Sequence, residues 1–287
     1  MRGAPAWTEL LRSSESLRNG ARARETAHHL PVSTTRGNTT RRGRVRVERG
    51  AKRVRAYLGG VPVADTARPA LVWEKPSYPT YYFPAADVRT DLLEADGGTM
   101  HVPSRGDGRT FTIHAGGREA TGAAVRFEDS PIEELRDLIR LDWHAMDAWF
   151  EEDEEVFTHP RDPYTRVDVL RSSRHVRIEV DGTTVAESTN PTLLFETGLP
   201  VRWYLPKPDV RMDLLTPTAT VSHCPYKGQA EYWSVRTGDR LHEDLAWSYR
   251  APFAESHKIA GLIAFYDERV DVHVDGALQE RPSSPFS

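Results

Sequence analysis

Asp87-Val88-Arg89-Thr90-Asp91-Leu92-Leu93 and Asp209-Val210-Arg211-Met212-Asp213-Leu214-Leu215 are two versions of one heptapeptide, and they decide the reading of this chain. They lie 122 residues apart, and the same offset carries Arg53–Ile113 onto His175–Val235 without a gap. From Val54 to Ile113, 19 of 60 paired positions are identical. Upstream of the heptapeptide the copies share Gly60/Gly182, Pro69/Pro191, Glu74/Glu196 and Tyr82/Tyr204; downstream they share His101/His223, Pro103/Pro225 and Gly106/Gly228. Shared Gly and Pro positions imply shared turns, and so a shared backbone. Self-similarity at a fixed offset means one folding unit used twice.

Each unit reads as short strands. Val176-Arg177-Ile178-Glu179-Val180 alternates and stops at Asp181-Gly182, a hairpin signal. Thr184–Ser188, Thr192–Glu196, Val201–Leu205, Val210–Leu215, Tyr232–Val235 and Ala246–Tyr249 follow as strands. Glu255–Ile259 suits a helical turn, and Leu262–Tyr266 and Val270–Val274 close the unit. The expected fold is mainly β, small barrels or a sandwich, with a few short helices. The copies diverge after position 118. There Ser130-Pro131 suits a helix start, and Asp142–Glu152 is expected to be a helix with Trp143, Met146, Trp149 and Phe150 on one side, packing between domains.

The expected organisation is a disordered basic tail over 1–43, a diverged first repeat over 44–158, a linker over 159–165, a motif-complete second repeat over 166–280 and a tail over 281–287. A net charge of −4 provides no global attraction to nucleic acid or to a membrane surface. No run of about 18 apolar residues indicates a membrane span. A cytoplasmic protein is the simplest reading. Cys224 is the only cysteine, which excludes an intrachain disulfide and a cysteine-rich zinc loop. The acidic run Glu151–Glu155 reads as a solvated face. No metal site and no cofactor is expected.

Chemistry is expected in Ser222-His223-Cys224-Pro225-Tyr226-Lys227-Gly228, a constrained turn carrying thiol, imidazole, phenol and amine groups. The first copy has Val102, Ser104 and Arg105 where the second has Cys224, Tyr226 and Lys227. A thiolate near Lys227 would be a nucleophile or base, and Lys227 alone would hold a carboxylate or phosphate. Neighbours point apart on an extended chain, so no His223–Cys224 dyad is expected. Arg211, Asp213 and Glu196 have counterparts in the first copy, which favours structural ion pairs.

Phe195-Glu196-Thr197-Gly198, the second heptapeptide, Cys224–Gly228, Tyr232–Val235, Ala246–Tyr249 and Ile259–Tyr266 resemble the bacterial and fungal family called domain of unknown function 427. The resemblance covers nearly all of the second copy and, more distantly, the first. It implies small domains of the β-tent type, and the family also carries a nucleotidyltransferase-like label.

Three functions are then open. One is a small-molecule enzyme or binder with its pocket in the second repeat. Cys224, Lys227, Tyr226 and Glu196 would do the chemistry, and Tyr204, His223, Trp233, Trp247, Tyr249, Arg211 and Asp213 would contact the ligand. A second is nucleotide handling, with Lys227 and Arg211 on phosphate and Mg²⁺ on Asp209, Asp213 or Glu196. The third is a non-enzymatic interaction module; a homodimer is compatible with any of them.

Overall fold

The structure, a computed structural model, describes residues 45–287. The expected basic tail lies outside the described residues. The first repeat is built from β1 (Arg46–Arg49), β2 (Val54–Leu58), β3 (Val61–Thr66), β4 (Ala70–Lys75), β5 (Tyr78–Pro84), β6 (Leu93–Val102), β7 (Gly106–Ala115), β8 (Arg118–Arg126), β9 (Leu138–Leu141), β10 (Ala148–Glu151) and β11 (Glu154–Val156). The second repeats the series as β12 (Val167–Arg171), β13 (Val176–Val180), β14 (Thr183–Ser188), β15 (Thr192–Glu196), β16 (Arg202–Tyr204), β17 (Leu215–Cys224), β18 (Gly228–Thr237), β19 (Arg240–Tyr249), β20 (Ala264–Phe265), β21 (Asp271–Val274) and β22 (Ala277–Leu278).

In the first repeat a seven-stranded sheet, ordered β1-β4-β5-β9-β8-β7-β6, faces a four-stranded sheet, β11-β10-β2-β3. The second repeat has the same plan. Its large sheet is written as β12-β15-β16 and β20-β19-β18-β17, joined by a single bridge in which Leu205 and Ile263 exchange bonds of 2.8 and 2.9 Å. Every strand pairing among the described residues is antiparallel. The chain is therefore mainly β, in two tandem units.

Each large sheet buries both faces. One face meets the small sheet in the main core, with Val54, Ala56, Phe83, Ile113 and Leu141 in the first repeat and Val176, Ile178, Leu205, Val235 and Phe265 in the second. The other face carries a smaller cluster: Val72, Tyr82, Val125, Phe127 and Leu135 in one, Val169, Leu194, Tyr204, Trp247, Tyr249 and Ile259 in the other. The period-two pattern explains the split. Val176, Ile178 and Val180 are buried on β13 while Arg177 and Glu179 between them are not.

Three expectations change here. The heptapeptides are not strands; Thr90–Leu92 and Met212–Leu214 are single 3₁₀ turns, and Leu93 and Leu215 begin β6 and β17. The copies diverge in sequence after position 118 yet keep one architecture, with β8–β11 matching β19–β22. Asp142–Glu152 is not a helix. It is a 3₁₀ turn at Trp143–Ala145, with the Asp142 carboxylate accepting from the His144 amide at 3.0 Å, followed by β10. β10 pairs with β2 on one side and β11 on the other, and a helix would forfeit both ladders. Ser130-Pro131 does not start a helix: the Ser130 hydroxyl accepts from the Ile132 amide at 3.1 Å in a local turn, and the 3₁₀ turn that follows at Glu133–Leu135 has Ile132 at its N-cap with no side-chain bond.

Candidate functional site

The Ser222–Gly228 segment is the hairpin turn between β17 and β18, with Cys224 opposite Gly228 and Gly228 at φ +96°. Alternation along β17 divides its side chains between two surroundings. Cys224 packs against the smaller cluster beside Tyr204, Trp247 and Tyr249. Ser222 bonds the Tyr232 hydroxyl at 2.7 Å on the same side. His223 is exposed on the other, 5.6 Å from the Phe157 ring.

Lys227 does not project into solvent. It is buried, and its ammonium is salt-bridged to the Glu196 carboxylate. The first repeat builds the same pair from Arg105 and Glu74. Glu74 also accepts from the Tyr82 hydroxyl at 2.7 Å and from Arg140 at 3.0 Å. Retention of the charge, with Arg exchanged for Lys, identifies the pair as part of the shared fold. Tyr204 holds the place of Tyr82, but its hydroxyl accepts from the Trp247 indole at 3.1 Å. Burial raises the Tyr204 and Tyr249 phenols above their ordinary range, so both stay protonated near neutral pH.

Six of the sequence candidates thus share one buried neighbourhood: Cys224, Lys227, Glu196, Tyr204, Trp247 and Tyr249. They are packed together, whereas the sequence reading has them line a pocket. Trp233 belongs to the opposite face, in the main core. Arg211 and Asp213 form a surface pair with bonds of 2.9 and 2.6 Å, duplicated by Arg89 and Asp91 at 2.8 and 2.6 Å. Asp209 accepts from Ser188 at 2.6 Å. Asp209, Asp213 and Glu196 each engage a different partner, and among the described residues no three acidic, His or Cys groups converge as a metal site would need.

Tyr226 points away from this neighbourhood, toward the linker. Its hydroxyl accepts from the Asp162 amide at 2.7 Å. Asp162 in turn accepts from the Trp73 indole at 2.7 Å and from the Tyr164 amide at 2.7 Å. The Arg46 guanidinium lies between the Trp73 and Tyr164 rings, 4.2 and 4.3 Å from their centroids. His159 stacks on Tyr78 at 3.6 Å, and burial holds its pKa below the ordinary imidazole value. The linker is therefore a bonded strip joining both repeats. The sequence reading gave that task to the Trp143–Phe150 face, but Met146 and Trp149 are in the first repeat's own core.

Beneath this strip is a cavity of about 490 Å³. The first repeat lines it with Glu48, Lys52, Leu71 and Tyr81, the linker with Arg161, Pro163 and Thr165, and the second repeat with Val167, Tyr226 and Glu255. Sequence reasoning found only Tyr226 among these. The aromatic and proline content of His159–Tyr164 was the available signal, and it was read as a connector. Asp162→Ala is expected to lower stability by about 1–3 kcal/mol in urea unfolding, because it leaves the buried Trp73 N–H without an acceptor.

Residues 46–152 and 168–276 each match the family described as Domain of unknown function (DUF427). The chain belongs to this family. No curated protein matches it. The linker that roofs the cavity falls between the two DUF427 matches, and the walls come from both. The cavity is therefore a property of the tandem, and neither DUF427 repeat forms it alone. Among the described residues no helix is long and apolar enough to cross a membrane.

Proposed function

We propose that this protein binds a small organic anion in the cleft between its two DUF427 repeats. The observation that carries this is the cavity itself, about 490 Å³ with walls from both repeats and the linker. That volume is within the range of roughly 300–1,000 Å³ typical of small-molecule sites. Pro69, Leu71, Pro163 and Val167 give it an apolar wall. Open hydrogen-bond donors are on the cations, and Glu255 beside Arg161 is an open acceptor.

Both Asp162 oxygens are occupied, and Glu48 is shared between Arg46 and the Tyr164 hydroxyl. Lys52 uses one of its N–H groups on Glu151, which also takes the Tyr81 hydroxyl at 2.7 Å. Among the described residues, Arg161 has only a 3.8 Å contact to Glu255 and a place 4.8 Å over the Phe253 ring. Its guanidinium can therefore donate to a carboxylate or phosphate while the apolar wall takes the rest of the ligand. Cys224 and Lys227 are packed or paired elsewhere, so binding explains the site without a reactive group.

The test is thermal unfolding with a panel of small carboxylates and phosphates, each beside its neutral amide or alcohol. An anion at 100 times its dissociation constant is expected to add about 2.7 kcal/mol and to raise the midpoint by about 5–10 °C. The shift should vanish in Arg161→Gln and in Ala51→Trp, which fills the cavity rim. A shift that persists in both variants, or no shift with any anion, overturns the proposal.

A further inference from the structure

The second repeat buries an ion cluster that the first repeat lacks. Arg202 on β16 makes two bonds to Glu268, at 2.8 and 2.6 Å, and lies 3.7 Å from Asp267. All three side chains are nearly sealed from solvent, at 8, 7 and 1% exposure for Arg202, Asp267 and Glu268. One arginine faces two carboxylates, so the cluster is one positive charge short. One Asp267 oxygen, Oδ1, is buried with no hydrogen-bond partner among the described residues. Register assigns the equivalent positions in the first repeat to Thr80, Trp143 and His144, since Ala124–Leu141 pairing corresponds to Ala246–Phe265 pairing. Trp143 there simply stacks on Trp149 at 4.5 Å. The fold does not need the charges, and a buried unbalanced carboxylate is costly to keep.

The lid of this cluster is the closing segment. Arg281 pairs with Asp271 at 2.7 Å and fixes where the segment begins. Ser284-Pro285-Phe286-Ser287 is a turn, with the Ser287 amide donating to the Ser284 carbonyl at 3.1 Å and proline at its second position. The Ser284 hydroxyl donates to Glu268, on the oxygen that Arg202 also holds. The Phe286 ring lies 6.2 Å from Tyr266 and 5.9 Å from the Arg202 guanidinium, and Tyr266 lies 4.5 Å from Trp247. The segment thus covers the outer edge of the cluster that contains Tyr204, Cys224 and Tyr249.

We infer that residues 281–287 are a pH-sensitive strap over the aromatic face of the second repeat, with Asp267 as its latch. While Asp267 is neutral, Arg202 serves Glu268 alone and keeps it aligned for Ser284. Once Asp267 ionises, it competes for Arg202 and repels Glu268, and both effects loosen the strap. The charged groups that act on Asp267 are Arg202 and Glu268; Arg269, two residues along the chain, donates to the Glu243 carbonyl at 3.3 Å and supplies no missing positive charge to Asp267. Burial pushes the Asp267 carboxyl from 3.8 up to about 7, with Arg202 opposing and Glu268 reinforcing the rise. The sign follows. An exposed carboxyl loses its proton near pH 4 and the buried one near 7, so the proton favours the closed strap and that advantage is lost as pH rises through about 7.

Hydrogen exchange of the Ser284, Phe286 and Ser287 amides, corrected for intrinsic rates, tests this at pH 6 and pH 8.5. In the intact chain, protection is expected to fall by about tenfold, because about one pH unit of the proton's advantage lies between pH 6 and the closed-state value of about 7. Asp267→Asn should hold protection high at both pH values. Ser284→Ala, outside the buried cluster, should lower it at both. Equal protection at the two pH values in the intact chain, or the same fall in Asp267→Asn, overturns the inference.

Discussion

Lys227→Ala is expected to lower the stability of the chain by about 3–5 kcal/mol, read from urea unfolding. The reason is what the substitution leaves behind. Glu196 is 8% exposed and Lys227 is 11% exposed, so Ala would strand a carboxylate in a dry neighbourhood. The loss is dominated by that stranded charge and only secondarily by the attraction removed. Two variants separate these effects. Lys227→Arg should be tolerated, because the first repeat already sets Arg105 against Glu74 in the same backbone. The double substitution Lys227→Met with Glu196→Leu should recover most of the loss, since it removes both charges together. Were Lys227 a ligand contact, as its place among the sequence candidates has it, Ala there would lose binding and spare the fold. The structure assigns Lys227 the reverse behaviour. A Lys227→Ala protein with unchanged stability and lost ligand binding would return the residue to a ligand-contacting role.

The same residue shows where sequence legibility ends. The offset between the copies revealed that Lys227 and Arg105 share a position, and Glu196 and Glu74 another. It could not reveal that the two positions touch, because 31 residues separate the partners. Turn residues were legible because glycine and proline act locally. Asp181-Gly182 turns as read, with positive φ at both residues. Core strands were legible through alternation. The cavity was not, because it is assembled from β1, the linker and the turn before β18, which no local pattern connects. Cys224, Tyr226 and Lys227 looked like one reactive group because they are adjacent in sequence. A hairpin divides them: Cys224 and Lys227 turn into one buried neighbourhood, against the aromatic cluster and Glu196, while Tyr226 turns toward the linker.

Trp149→Ala is the second large effect expected, at about 3–5 kcal/mol. Trp149 is 3% exposed in the main core of the first repeat, with its ring 6.0 Å from Phe83 and stacked on Trp143 at 4.5 Å. Its indole N–H donates to the Trp143 carbonyl at 3.0 Å, so Ala removes a ring, opens a cavity and leaves a carbonyl unpaired. The spacing of Trp143, Met146, Trp149 and Phe150 imitates a helix face because 3₁₀ turn and strand join within it. Trp149 and Phe150 actually alternate on β10, Trp149 inward and Phe150 edge-on to Tyr57 at 5.5 Å. The two assignments differ in what Trp149→Ala does. A helix packed between domains would lose the coupling between repeats and keep both cores. The observed strand predicts that exchange protection falls across β2, β8, β9 and β10, while β13 and β18 keep theirs and the Asp162–Tyr226 contact survives. Loss of protection confined to the linker would reinstate the interdomain helix.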